Sequence, residues 1–257
     1  MSAWAGQARR LAPGDVPAAA KALGVPVAAL RAVLAVEARG TGFDAAGRPI
    51  ILYEPHVFHR QLKANARGKL ADATGAGLAY PAWGTKPYPK GQDAQYARLD
   101  AASAIDPECA ARACSWGMGQ ILGENYGQAG YKTALDLVAA FQRSEADQVG
   151  AMLRLVKAWG LVPALVSLDW ARFARRYNGP GQVAKYSAML ADAYTKAVKA
   201  GDEATAKVPA PIVAKPKPAP ARVLTADDLN AAQLAKIAAP STDDLNAAEL
   251  RRIKGDA

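Results

Sequence analysis

The chain has 257 residues, 51% hydrophobic and 21% charged, which suits a globular protein burying a sizeable core in one or two domains and excludes a disordered or collagen-like chain. Lys and Arg number 32 against 23 Asp and Glu, so the formal charge of +9 favours polyanionic partners: nucleic acid, a membrane surface or an anionic envelope polymer. Cys109 and Cys114 are too few for a disulfide framework and are expected as buried free thiols, no apolar run approaches the ~18 residues of a membrane span, and no secretion-signal core follows Arg9 and Arg10.

Helical periodicity predicts a helix over 17–23 ended by Gly24, and a more apolar one over 27–38 ended by Gly40 or Gly42. A turn at Ala46-Gly47 then separates Phe43 from the β-rich run 50–53, which predicts a small hairpin. Residues 65–91, rich in Gly, Pro and aromatics, read as a long surface excursion of the functional kind. Helices follow over 93–113, 133–141, 144–159 (Ser144 as N-cap, Asp147 at N3), 162–167, 169–177 and 182–200. The fold class is therefore mainly α (α+β), with one small β element.

The character of the chain changes near its end. Pro209, Pro211, Pro216, Pro218 and Pro220 with Lys215 and Lys217 predict a semi-rigid cationic linker. Asp-Asp-Leu-Asn-Ala-Ala-Gln-Leu from Asp227 then recurs, with Glu for Gln, from Asp243, a 16-residue period whose copies open at Thr225 and Ser241. Helices of that length are marginal alone in water and are expected to pair with each other or with a partner, or else to form a loosely ordered solubilising tail. The expected organisation is a domain over 1–203, a linker over 204–223 and two helical repeats over 224–257.

Glu37 follows Ala32-Val33-Leu34-Ala35-Val36 at the end of the second predicted helix. Apolar neighbours and the negative end of the helix dipole both disfavour its charged form, which is how a general acid is made; otherwise such a Glu marks the solvent edge of an amphipathic helix. Glu54 follows the β-rich run, and Glu54-Pro55-His56-Val57-Phe58-His59 raises a metal reading. The i, i+3 histidine spacing, the intervening Pro55 and the lack of a third ligand cluster weigh against metal, leaving Glu54 as a possible second carboxyl across a glycosidic bond. Ser115-Trp116-Gly117-Met118-Gly119-Gln120 is a Gly-interrupted turn that presents polar atoms. Arg176-Tyr177-Asn178-Gly179 ends a helix with a phenol and an amide suited to sugar hydroxyls or N-acetyl groups, or is a plain helix stop.

In this order, Val36-Glu37-Ala38-Arg39-Gly40, Gly117-Met118-Gly119-Gln120 and Tyr177-Asn178-Gly179 resemble the lysozyme-like superfamily of muramidases and lytic transglycosylases. More closely, residues 50–61, 113–123 and 168–181 look like the N-acetylmuramidase domain of phage endolysins, the resemblance covering 13–200. It implies a lysozyme-like helical fold and cleavage of the β-1,4 bond between N-acetylmuramic acid and N-acetylglucosamine in peptidoglycan, with Glu37 as general acid and no metal or cofactor. It also implies Ser115, Gly117, Gln120, Tyr177 and Asn178 as sugar-positioning residues. The second role stays open between Glu54, Asp44 and no side chain. A carboxylate holding water would give a hydrolysed product, whereas attack by the substrate's C6 hydroxyl would make the protein a lytic transglycosylase giving 1,6-anhydro ends. Tyr80, Trp83 and Tyr88 of the excursion could stack on sugar faces.

The resemblance further implies synthesis in the host cytoplasm and action on the wall as a monomer, with positive charge adsorbing to anionic envelope polymers. The rival from another class is a basic helix-turn-helix over 18–30 that binds nucleic acid. It requires polar groove-facing side chains, and residues 27–36 offer only Arg31.

Overall fold

Helix α1 (Asp15–Leu23) carries Asp15 in its first turn, buries Val16 and Ala20 one turn apart, and stops at Gly24. The chain bends by 112° into α2 (Val27–Glu37), which buries Ala28, Ala29, Leu30, Ala32, Val33 and Glu37. Apolar on most sides, α2 is a core helix, packed chiefly on α11 (Val183–Lys199). That burial weighs against the helix-turn-helix reading, because α2 turns Ala28, Leu30, Ala32 and Val33 into the core and carries Arg31 as its one basic side chain. This computed structural model describes residues 3–38 and 40–204; the proline-rich stretch from 205 and the repeats over 224–257 lie outside the described residues. Among the described residues no single helix is long and apolar enough to cross a membrane.

The β element differs from the expected hairpin. Phe43 makes only an isolated antiparallel bridge to Pro49, whereas β1 (Ile51–Tyr53) pairs with β2 (Cys114–Trp116), and β2 with β3 (Ile121–Leu122). The reason lies on the other edge of β1. Gln92 exchanges hydrogen bonds with both the N–H and the carbonyl of Ile51 (2.8 and 3.0 Å), and Gln95 Oε1 accepts from the Tyr53 N–H at 3.0 Å. Two side chains of α5 (Gln92–Ile105) thus occupy the edge that a hairpin partner would have needed.

Pro55 does not interrupt its segment; as the first residue of α3 (Pro55–Asn65) it starts one, where its missing N–H costs nothing. The 65–91 excursion is partly core, since it forms α4 (Leu70–Gly75), buries Leu78, Ala79 and Tyr80, and receives the Tyr53 hydroxyl on Leu78 O at 2.9 Å. The single helix expected over 93–113 is two, α5 and α6 (Pro107–Arg112). Pro107 cannot continue the ladder, and Asp106 accepts from the Cys109 N–H at 2.9 Å to cap the second.

Four further helices follow the sequence signals closely. Helix α7 (Ala134–Arg143) opens on a Thr133–Asp136 capping box, and α8 (Glu145–Ala158) on Ser144, whose hydroxyl accepts from Asp147 N–H. Then come α9 (Val162–Val166) and α10 (Trp170–Tyr177), the latter capped by Asp169. Trp116, Tyr53, Tyr96, Phe58, Phe141 and Phe173 anchor the core. Each such ring buries roughly 150–250 Å², about 4–6 kcal/mol of transfer free energy at ~25 cal/mol/Å² before ordering costs. Their polar atoms are satisfied on backbone, as where Trp116 Nε1 donates to Ala111 O at 2.8 Å. Both cysteines are free and buried, and burial pushes the Cys109 thiol up to about 12.

Candidate active site

Glu37 is the last residue of α2, 7% exposed, with the next N–H (Ala38) closing on Leu34 O. Its carboxylate therefore sits at the negative end of the helix. Asn178, just past the end of α10 and 3% exposed, donates from Nδ2 to Glu37 Oε1 at 2.9 Å. Tyr177 lies behind this pair, stacked on Phe173 (centroids 5.2 Å, 12°) and edge-on to Trp159 (5.8 Å). Burial first, and then the Glu37 charge, push the Tyr177 phenol well above its ordinary range, so it stays neutral. Two helix ends distant in sequence thus converge on one carboxyl, and Arg176 adds a cation over Trp159 at 5.6 Å.

The Gly117 turn is a second unit. Gly117 has φ +67, and a Cβ there would stand 2.6 Å from Gln148 Oε1 and 3.0 Å from Phe141, so only glycine fits. Gln120, itself at φ +46, donates from Nε2 to Gly117 O (2.8 Å) and Ile50 O (3.2 Å). The amide expected on a sugar is thus spent on closing the turn, although the residue stays half-buried at its edge. Ser115 is 1% exposed in the middle strand, opposite Leu52 and Leu122, and belongs to the sheet rather than to an open surface.

Glu54 is fully buried just before α3, with the Tyr88 hydroxyl donating to its Oε2 and His56 Nδ1 3.6 Å away. Burial, then the Glu54 charge, raise the Tyr88 phenol, while burial and the Arg60 charge bring His56 down to about 4, so His56 is neutral. Asp44 is committed to its own loop: Oδ1 accepts from the Ala46 and Arg48 N–H groups and Oδ2 from Arg48 Nε at 2.7 Å. Among the described residues no group of three or more His, Cys, Asp or Glu is placed to hold a metal ion. Of the excursion's aromatics Tyr80 is buried and Tyr88 engaged, while Trp83 is 43% exposed.

Sequence reasoning missed two residues on α8. Glu145 Oε1 accepts from the Gly42 N–H (2.8 Å), the Thr41 hydroxyl (3.1 Å) and Arg10 (3.0 Å), and Oε2 from the Leu11 N–H (2.9 Å). Burial alone would raise this carboxyl, but the Gly42 and Leu11 amides, Thr41 and Arg10 outweigh it and hold it below the usual range. Gln148, 1% exposed, accepts from the Met118 N–H at 2.8 Å and donates to Phe141 O at 3.1 Å and Gly42 O at 3.4 Å. The signal was a polar residue on the apolar stripe Gln148, Met152, Leu155, all buried.

A family model for N-acetylmuramidase matches residues 26–198, the stretch that contains Glu37, Glu54, the Gly117 turn and Asn178. The chain belongs to the N-acetylmuramidase family. Among solved structures, this muramidase is similar to the crystal structure of Burkholderia AP3 phage endolysin, at 40% identity and a TM-score of 0.68, over 74% of this chain and 73% of that one. No curated protein matches it. The mainly α fold with a small antiparallel sheet, and a peptidoglycan glycosidase activity, follow from that membership.

Proposed function

We propose that this muramidase is an endolysin that cleaves the β-1,4 bond between N-acetylmuramic acid and N-acetylglucosamine, with Glu37 as the general acid. The observation that carries the reading is the buried Asn178–Glu37 hydrogen bond at the meeting of two helix ends. A carboxyl at the negative end of a helix, walled by Tyr177 and held in one rotamer by an amide, suits protonation of a leaving glycosidic oxygen. Having given up its proton, the same carboxylate can take one from an incoming water. Tyr177 and Asn178 form the wall at the reacting bond, the Gly117 turn the wall carrying Gln120, and exposed Trp83 offers a ring face to a distal sugar.

Glu54 suits a different task from the one the sequence suggested. Shut behind Tyr88, it holds the excursion against the sheet, and Asp44, committed to Arg48 and two amides, holds the loop after Glu37. The assigned catalytic carboxyl is Glu37 alone, and the second group is the water it activates. The lytic transglycosylase alternative differs only in that the substrate's C6 hydroxyl replaces that water. The domain over 1–203 carries this chemistry, and the linker over 204–223 and repeats over 224–257 serve wall binding, supported by Lys215 and Lys217 among the prolines and by the duplicated segment. The net charge of +9 assists adsorption to anionic envelope polymers.

The test is mass spectrometry of fragments released from purified peptidoglycan by wild type, Glu37→Gln and Glu54→Gln. Reducing N-acetylmuramic acid ends from wild type, none from Glu37→Gln, and residual release by Glu54→Gln are expected. Anhydro ends would move the protein to the transglycosylases, and a folded Glu54→Gln with no activity would return Glu54 to the chemistry.

A further inference from the structure

Among the described residues after Glu37, the Ala38 N–H closes α2 on Leu34 O, the Gly40 N–H donates to Ala38 O, and Thr41 and Gly42 then contact Glu145. From Gly42 a continuous set of bonds runs to the Gly117 turn. Gly42 O accepts from the Ile50 N–H at 2.9 Å, and Ile50 O accepts from the Gly117 N–H at 2.8 Å and from Gln120. Gln148 spans both ends of this set, donating to Gly42 O while accepting from Met118 N–H. The fit is close: a Cβ on Gly42 would stand 2.1 Å from Gln148 Oε1, and one on Gly117 2.6 Å from the same atom. Two glycines, one on each segment, therefore mark where the backbone leaves room for a single amide.

We infer that Glu145 and Gln148 are positioning residues of the glycosidase reaction, fixing the distance between the Glu37 carboxyl and the Gly117–Gln120 wall from beneath the cleft. The inference rests on the assignment of Glu37 as the acid. Neither residue touches substrate. Glu145 holds Thr41 and Gly42, four and five residues after Glu37, and Gln148 locks Gly42 to the Gly117 turn. Alignment of a general acid tolerates little slack, since a displacement of ~1 Å can cost about 100-fold in rate, and side chains that lock such a group act through geometry rather than chemistry.

Gln148→Met keeps the volume and removes all three hydrogen bonds; Glu145→Gln keeps the shape and removes the charge facing Arg10. Thr133→Ala, which breaks the capping box of α7 away from the cleft, serves as a destabilised control. On soluble glycan strands, both α8 variants are expected to melt cooperatively, to lose kcat about tenfold or more, and to keep KM within about twofold, while Thr133→Ala lowers Tm and keeps kcat. Wild-type kcat in Gln148→Met at a temperature well below its Tm overturns the inference. Should Gln148→Met fail to fold, Gly42→Ala strains the same contact from the other side and must lower kcat too; unchanged kcat there overturns it equally. A wild type that releases no sugar ends at all would instead refute the assigned activity, whereas loss in Glu37→Gln with full activity in both α8 variants refutes only the positioning role.

Discussion

The side-chain amide of Asn178 donates to Glu37 Oε1 across 2.9 Å, joining positions 141 apart in the chain at the C-terminal ends of α10 and α2. Because both residues are buried, this bond acts with little competition from water, and a hydrogen bond to a charged group is worth about 1.5–3 kcal/mol.

Asn178→Ala should therefore lower kcat for reducing-end release by about 10- to 100-fold, the same free energy expressed as a rate. The donated N–H stabilises the carboxylate that forms as Glu37 gives up its proton, so the loss is expected in kcat across the pH profile. Asn178→Asp, which sets a second negative charge against Glu37, should be worse. An unchanged rate and profile in Asn178→Ala would remove this bond from the mechanism.

Gly117→Ala and Gly119→Ala should differ sharply although they flank the same Met118. The first forces a left-handed φ of +67 on a β-carbon that meets Gln148 and Phe141, and should cost upward of ~1–2 kcal/mol. The second meets Met152 Sδ at 3.4 Å and Ile121 at 3.8 Å, ordinary contacts, and should stay within about 1 kcal/mol of wild type. Urea midpoints of the two variants decide the matter; equal midpoints would mean that the turn gives way more easily than its geometry implies.

Acid should weaken the fold through Glu145. Its carboxyl lies below the ordinary value of 4.5 in the folded state, so the stabilisation is fully present above about pH 4.5 and is lost as pH falls through the lower folded value. Glu145→Gln should lower Tm near neutrality and flatten the fall of Tm below pH 4.5. Part of that fall should persist, because Asp106, facing Lys69 and the Cys109 amide, is also held low and titrates in the same sense. A slope identical to wild type would show that Glu145 carries no pH-dependent stability.

Wall adsorption should separate from turnover. Removing residues 208–257 should leave kcat on soluble strands intact and weaken binding to purified walls. Binding of either form should fall as salt rises from about 0.1 M to about 1 M and the Debye length shrinks from ~10 Å to ~3 Å. Sedimentation of protein with walls measures this, and equal adsorption with and without the tail would leave the repeats without a wall-binding role.

The start of α8 was legible because a cap and an apolar stripe coincide there, Ser144 with Asp147, and those signals act within one or two turns of chain. Glu37 was legible for the same reason: a lone carboxyl closing an apolar helix is a local anomaly. The hairpin was misplaced because strand pairing is non-local, and two glutamines on α5 competed for the edge of β1.

By itself, the sequence determined a mainly helical chain, a carboxyl at the end of its most apolar helix, and the three ordered segments that resemble muramidases. Tertiary structure alone decided which polar groups meet. It set Asn178 on Glu37, buried Glu54 behind Tyr88, turned Gln120 inward onto Gly117 and Ile50, and drew Glu145 and Gln148 onto Gly42 and the Gly117 turn. The physical reason is that a buried polar group must find a partner or bear a desolvation cost, and which partner lies in reach depends on how distant helices pack, not on the residues beside it in the chain.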